Sequence, residues 1–176
     1  MRYFYLILTT CVLLTGTLFA AGQAPDFKLK RMNGGEFILS EELKKGPVLI
    51  DFWATWCKPC KKALPKIEYF HKTYADSGLQ VVTISIDNPK SKSKIKPFIK
   101  GQKYTFDVLF DSNMEVRKLF GGKEIPLSVL INSDSEIVFK HLGYKPGDEK
   151  KIEEEILKTL GIGETSSGKD TNEEND

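Results

Sequence analysis

A chain of 176 residues, 40% hydrophobic and 28% charged, is long enough for one folded domain with a sizeable core. A formal net charge of +2 gives no global pull toward nucleic acid. Both ends differ in composition from the middle, and they constrain the reading first.

Met1 and Arg2 precede an apolar run from Tyr3 to Ala21 that closes on the small residues Ala20, Ala21 and Gly22. This is a secretory signal pattern with a small-x-small site for cleavage before Gln23. The run also approaches the length of a membrane anchor, although Thr9, Thr10, Thr15 and Thr17 dilute it. Residues 1–22 are therefore expected to carry the chain to the periplasm or another extracytoplasmic space, as a signal peptide or as an inner-membrane anchor. A lipoprotein reading of Leu8-Thr9-Thr10-Cys11 fits poorly, because no Gly, Ala or Ser precedes the cysteine.

Residues 23–162 read as the folded domain. Phe27-Lys28-Leu29 and Glu36-Phe37-Ile38 flank Asn33-Gly34-Gly35 and predict a hairpin. Ser40, followed by Glu41-Glu42-Leu43, predicts a short capped helix. The run Pro47 to Trp53 is almost wholly apolar, as in a central strand covered on both faces. From Lys58 to Ala75, Ala63, Leu64, Ile67, Phe70 and Tyr74 recur at helical spacing, with Pro65 expected to kink the helix and Gly78 to follow its end. A strand over Leu79–Ile86, a helix over Lys92–Lys100, a short strand over Phe106–Leu109 and a helix over Asn113–Phe120 come next. Strands over Leu127–Ile131 and Glu136–His141, joined by Ser133-Asp134-Ser135, and an amphipathic helix over Asp148–Leu160 complete the domain. Alternating strands and helices predict an α/β sheet flanked by helices. Residues 163–176 lack large apolar side chains, and residues 164–176 hold five acids against Lys169, so a disordered acidic tail is expected.

The export segment would remove Cys11 from consideration and leave Cys57 and Cys60. A two-residue loop between bonded cysteines constrains little of an unfolded chain, so this pair is better suited to chemistry than to stapling. Cys57 falls where the apolar strand ends and the long helix begins. Free backbone N–H groups and the helix dipole favour a thiolate there, and Lys58 adds a cation. Cys57 is thus the expected attacking sulfur, and Cys60, one turn on and more buried, the resolving one. Pro59 stiffens the first turn, where its missing donor is not needed. Lys61 and Lys62 extend the positive field, although exposed helix lysines are ordinarily only solvated. A zinc site lacks a second cysteine pair, and His71 and His141 show no ligand spacing. Trp53 reads as packing, whereas Trp56 adjoins the nucleophile. Asp51, an acid inside an apolar strand, is expected to have a raised pKa and to exchange a proton near neutrality.

The segment Val48-Leu49-Ile50-Asp51-Phe52-Trp53-Ala54-Thr55-Trp56-Cys57-Lys58-Pro59-Cys60-Lys61-Lys62, with Pro65 behind it, resembles the active-site segment of the thioredoxin superfamily. The N-terminal hairpin and the insert from about Pro89 to Phe110 resemble its extracytoplasmic TlpA/ResA-like thiol-disulfide oxidoreductases. The resemblance covers roughly residues 25–160 and implies a thioredoxin-like α/β fold: a central mixed sheet flanked by helices, with a helix-strand insert. It implies that Ile125-Pro126 is the family's cis-proline turn, that Ile125 contacts the substrate backbone, and that Asp51 moves the proton of Cys60. Trp56, Lys58, Pro59, Ile125 and Pro126 form the expected substrate-binding surface around the Cys57–Cys60 disulfide. Ala63 stands where many ResA-like proteins carry a glutamate, a departure that leaves proton handling to Asp51.

The implied activity is reduction of disulfides in exported proteins, apocytochrome c before haem attachment among them. The expected partners are such substrates and a membrane electron donor of the thiol-reducing kind. A monomer is expected, with no cofactor, resident metal or nucleic acid. The competing functions are a disulfide-forming oxidant, a peroxiredoxin-type peroxidase, for which Ala54 stands in place of the usual threonine, and a metal carrier.

Overall fold

A computed structural model describes residues 22–163. The export segment and the acidic tail lie outside the described residues. Among those described, no helix is long and apolar enough to cross a membrane.

The described residues begin, in order of elements, with an antiparallel hairpin, β1 (Lys28–Lys30) and β2 (Glu36–Ile38), followed by the short helix α1 (Leu39–Leu43). The central strand β3 (Val48–Trp53) leads into α2 (Lys58–Tyr74) and returns through β4 (Gln80–Ser85). A 3-10 turn over Lys92–Lys94 precedes α3 (Ile95–Gln102), β5 (Asp107–Phe110) and α4 (Glu115–Leu119). Strands β6 (Leu127–Ile131) and β7 (Ile137–Leu142) and helix α5 (Glu149–Thr159) complete the domain. Five strands form one sheet in the order β5-β4-β3-β6-β7. The pairs β3–β4 and β4–β5 are parallel, each joined through a helix, while β3–β6 and β6–β7 are antiparallel. The sheet is therefore mixed, and it is the thioredoxin-like α/β arrangement that the strand-helix pattern and the resemblance imply.

β3 is buried at all six residues, which explains its unbroken apolar run. Successive side chains leave opposite faces. Phe52 packs on Phe120, with ring centroids 5.8 Å apart, and Phe120 meets Phe27 of the hairpin at 5.8 Å. Trp53 packs on Phe98 of α3 at 5.4 Å. The hairpin and the insert thus anchor opposite faces of the strand that delivers the cysteines.

Two helix starts differ from expectation. Ser40 lies inside α1, not at its cap. Asp26 accepts from the Ser40 amide at 2.9 Å and its hydroxyl at 2.8 Å, so an acid fourteen residues upstream holds this turn. Helix α4 shrinks to five residues and starts beyond Asp111, whose carboxylate accepts from the amides of Glu115, Val116 and Arg117 at 2.9, 3.3 and 2.8 Å. Helix α2 runs through Pro65, which is exposed, as is Lys61, whose carbonyl would have received the missing amide.

Asp111→Ala removes the acceptor for three buried or half-buried amides and is expected to cost about 1–2 kcal/mol in urea denaturation. An unchanged midpoint would show that α4 does not rely on this side chain.

Candidate active site

Four residues, Ala54 to Cys57, separate the end of β3 from the start of α2. The chain turns tightly, with the Cys57 amide donating to the Ala54 carbonyl at 3.1 Å. Cys57 is the N-cap of α2, with extended backbone at φ −83° and ψ 107°, and Lys58 and Pro59 are its first two helical residues. The Cys57 sulfur accepts from the Cys60 amide at 3.2 Å, one of the donors that a helix leaves unpaired at its start. Cys57 and Cys60 are joined as a disulfide, with Cα atoms 5.3 Å apart. Cys60 is fully buried and Cys57 is 5% exposed, so the outer sulfur belongs to the residue expected to attack.

Around the sulfurs the expected surface residues come together unequally. The Ile125–Pro126 peptide is cis, and the Ile125 carbonyl lies 3.9 Å from the Cys57 sulfur. Trp56 is 61% exposed beside the disulfide, while Trp53 is buried in the core. Lys58, Pro59, Lys61 and Lys62 are exposed on the first turns of α2. Ala63 is buried on the inner side of that helix. His71 and His141 are half-buried; His141 sits 3.1 Å from Asp148, far along the chain from the cysteines.

Asp51 is fully buried in the middle of β3. Its register partner across the antiparallel pair is Ser128, whose hydroxyl donates to Oδ1 at 2.7 Å. Oδ2 is buried and has no hydrogen-bond partner among the described residues. Burial raises the carboxyl pKa from 3.8 to about 7, with the Ser128 hydrogen bond opposing the rise. A group with this pKa is partly protonated near neutrality. No hydrogen bond joins it to either cysteine among the described residues.

Two contributors escaped the sequence reading. Ser128 interrupts an apolar strand much as Asp51 does, and that shared anomaly was the available signal. Asp87 follows β4 and is fully buried, accepting from the amide and hydroxyl of Thr55 at 2.8 and 2.7 Å. An acid just beyond the C-terminal end of a parallel strand, where α/β sheets place their sites, was its signal.

The pKa of Asp51 has a consequence for stability. Between 3.8 and about 7 the folded chain keeps a proton that the unfolded chain has released. The stability contributed by this group is therefore greatest in acid and falls as pH rises toward 7. Asp51→Asn, which never ionises, is expected to raise stability on the order of 3–4 kcal/mol near pH 9 and little near pH 4. Urea denaturation of the oxidised protein at the two pH values measures the difference; equal effects at both would place the titration elsewhere.

The AhpC/TSA family model matches residues 20–140. The thiol-disulfide oxidoreductase ResA of Bacillus thuringiensis subsp. konkukian is 29% identical over 138 residues, spanning 78% of this chain and 76% of its own length. The thioredoxin-like protein YneN of Bacillus subtilis is 34% identical over 122 residues, 69% of this chain and 70% of YneN. Among solved structures, a chain from Chlorobium tepidum assigned as a thiol:disulfide interchange protein of the DsbE kind superposes with a TM-score of 0.73. That chain is 31% identical, and the match covers 80% of this chain and 96% of the other. Together with the Cys57–Cys60 disulfide at the head of α2, these similarities show that the chain belongs to the AhpC/TSA family and is one of its thioredoxin-like thiol-disulfide oxidoreductases.

Proposed function

We propose that the protein reduces disulfides in exported proteins, with Cys57 attacking and Cys60 resolving. The observation that carries this reading is the Cys57 sulfur, held at the start of α2 against the Cys60 amide and lying outside the buried Cys60. The Cys57 thiolate attacks one sulfur of the substrate disulfide, forms a mixed disulfide and expels the other sulfur as a thiolate. Cys60 then loses its proton and attacks the Cys57 sulfur. The Cys57–Cys60 disulfide forms, and the second substrate sulfur leaves as a thiolate. Two electrons pass from this protein to the substrate, and a membrane electron donor of the thiol-reducing kind restores them. Asp51, through its partnerless Oδ2, is the base that takes the proton of Cys60 by way of water.

Trp56, Lys58 and Pro59 form one wall of the substrate surface and the cis turn at Ile125-Pro126 the other, with the Ile125 backbone beside the reacting sulfur. Substrates presented as extended segments suit such a backbone edge. The apolar start of the sequence supports an extracytoplasmic setting, and an apocytochrome c awaiting haem is one fitting substrate. The Lys58-Pro59 pair between the cysteines does not resemble the strongly oxidising versions of the motif, which favours reduction over oxidation. A peroxidase would need an activating hydroxyl in place of Ala54, which is buried and apolar.

Cys60→Ser is expected to accumulate mixed disulfides through Cys57, visible as reducible higher-mass bands, while Cys57→Ser forms none. The reverse pattern would exchange the two roles. The reduction potential is expected near about −270 mV, among reductants of the thioredoxin kind, and not near about −120 mV, the range of strong oxidants. A glutathione titration measures it. Asp51→Asn is expected to slow turnover about tenfold or more near pH 7, in the range lost with a general base.

A further inference from the structure

The loop that brings Cys57 to the helix is tied down by a buried acid to which no catalytic step assigns a task. Asp87 stands two residues beyond the end of β4 and is fully buried. Its oxygens accept from three neutral donors: the Thr55 amide at 2.8 Å, the Thr55 hydroxyl at 2.7 Å and the Ser85 hydroxyl at 2.9 Å. Its own amide donates back to the Ser85 oxygen at 3.2 Å. A buried carboxylate held by neutral donors is costly compared with apolar packing of the same loop. What this arrangement supplies and packing does not is a fixed direction, because both polar groups of Thr55 point at one rigid acceptor.

The turn from Trp53 to Cys57 is fixed at successive points. The Ile86 amide donates to the Trp53 carbonyl at 2.9 Å, Thr55 is held twice by Asp87, and the Cys57 amide closes on the Ala54 carbonyl at 3.1 Å. In the oxidised protein the disulfide to Cys60 adds a covalent restraint on Cys57. Reduction removes it. The place of the thiolate then depends on the backbone of residues 54–57, and helix N-terminal stabilisation acts only within the first turn. We propose that Asp87 and Thr55 are positioning residues that hold Cys57 at the start of α2 once the disulfide is open, keeping its thiolate within reach of the Cys60 amide.

The clamp rests on Cys57 being the attacking thiol, and the experiment distinguishes failure of the clamp from failure of that assignment. The experiment uses the reduced full-length chain with Cys11→Ser, which leaves Cys57 and Cys60 as its thiols. Alkylation by iodoacetamide is followed across pH, with the labelled cysteine identified by peptide mass. Thr55→Val removes the hydroxyl donor and leaves the Asp87 side chain in place. It is expected to raise the alkylation midpoint of Cys57 by about one pH unit and to slow labelling about tenfold near pH 7, as the thiolate fraction falls. Thr55→Ser restores the donor and is expected to stay within about twofold of the parent in the same thiolate assay. Thr55→Ala takes the place of the valine variant if that one does not fold. A lowered Tm with an unmoved alkylation profile would make Thr55 a packing residue and overturn the clamp. Labelling of Cys60 ahead of Cys57 in the parent would overturn the attacker assignment and the clamp with it.

Discussion

A strand buried along its whole length must give way, within four residues, to a helix whose first turn faces outward. That transition, from Trp53 to Lys58, sets the conditions for the rest of the site. Because β3 is central, both flanks of the transition are anchored: Phe52 through Phe120 to the hairpin, and Trp53 through Phe98 to α3. A sulfur placed at the head of α2 therefore rests on a buried central strand, beside a helix amide that has no intrahelical partner. The exposed Trp56 and the buried Cys60 follow from the same geometry, one residue before the sulfur and three after it.

Two of the buried carboxyl groups beside this transition, Asp51 and Asp87, are held differently. Asp51 is held by one hydroxyl and has an oxygen without a partner among the described residues, and burial raises its pKa to about 7. Asp87 has both oxygens occupied, by Thr55 and Ser85, and is thereby suited to fixing a loop. The two acids thus differ in the number of donors offered to them, although both are fully buried. Ala63 adds no third ionisable group there: its side chain is apolar and buried on the inner side of α2.

The insert and hairpin extend the fold around this centre. The hairpin reaches the edge strand β5 through a bridge from Arg31 to Leu109 and a hydrogen bond from the Met32 amide to the Val108 carbonyl at 2.7 Å. Arg31 also pairs with Glu42 and Asp107, joining hairpin, α1 and β5. The edge is thereby covered, which limits pairing with a second chain at that side of the sheet. Glu68 plays a comparable part for α2, accepting from the Thr105 amide and hydroxyl at 2.9 and 2.7 Å and tying the helix to the segment before β5.

Local pattern alone was enough to determine the alternation of strands and helices, the buried status of β3 and the placing of Cys57 before a helix, because hydrophobic period and backbone preference act over a few residues. The anomaly of an acid at Asp51 was legible for the same reason. The element ends were less so: Ser40 looked like a cap, but the acceptor is Asp26, and α4 begins where Asp111 allows it. What tertiary structure alone decided is which distant groups meet. Ser128 reaches Asp51 across 77 residues and Thr55 reaches Asp87 across 32, and no local pattern encodes such pairings. Chemistry at a short motif can be read from its neighbours in the chain, whereas the protonation and positioning of its atoms depend on contacts that exist only after the sheet has formed.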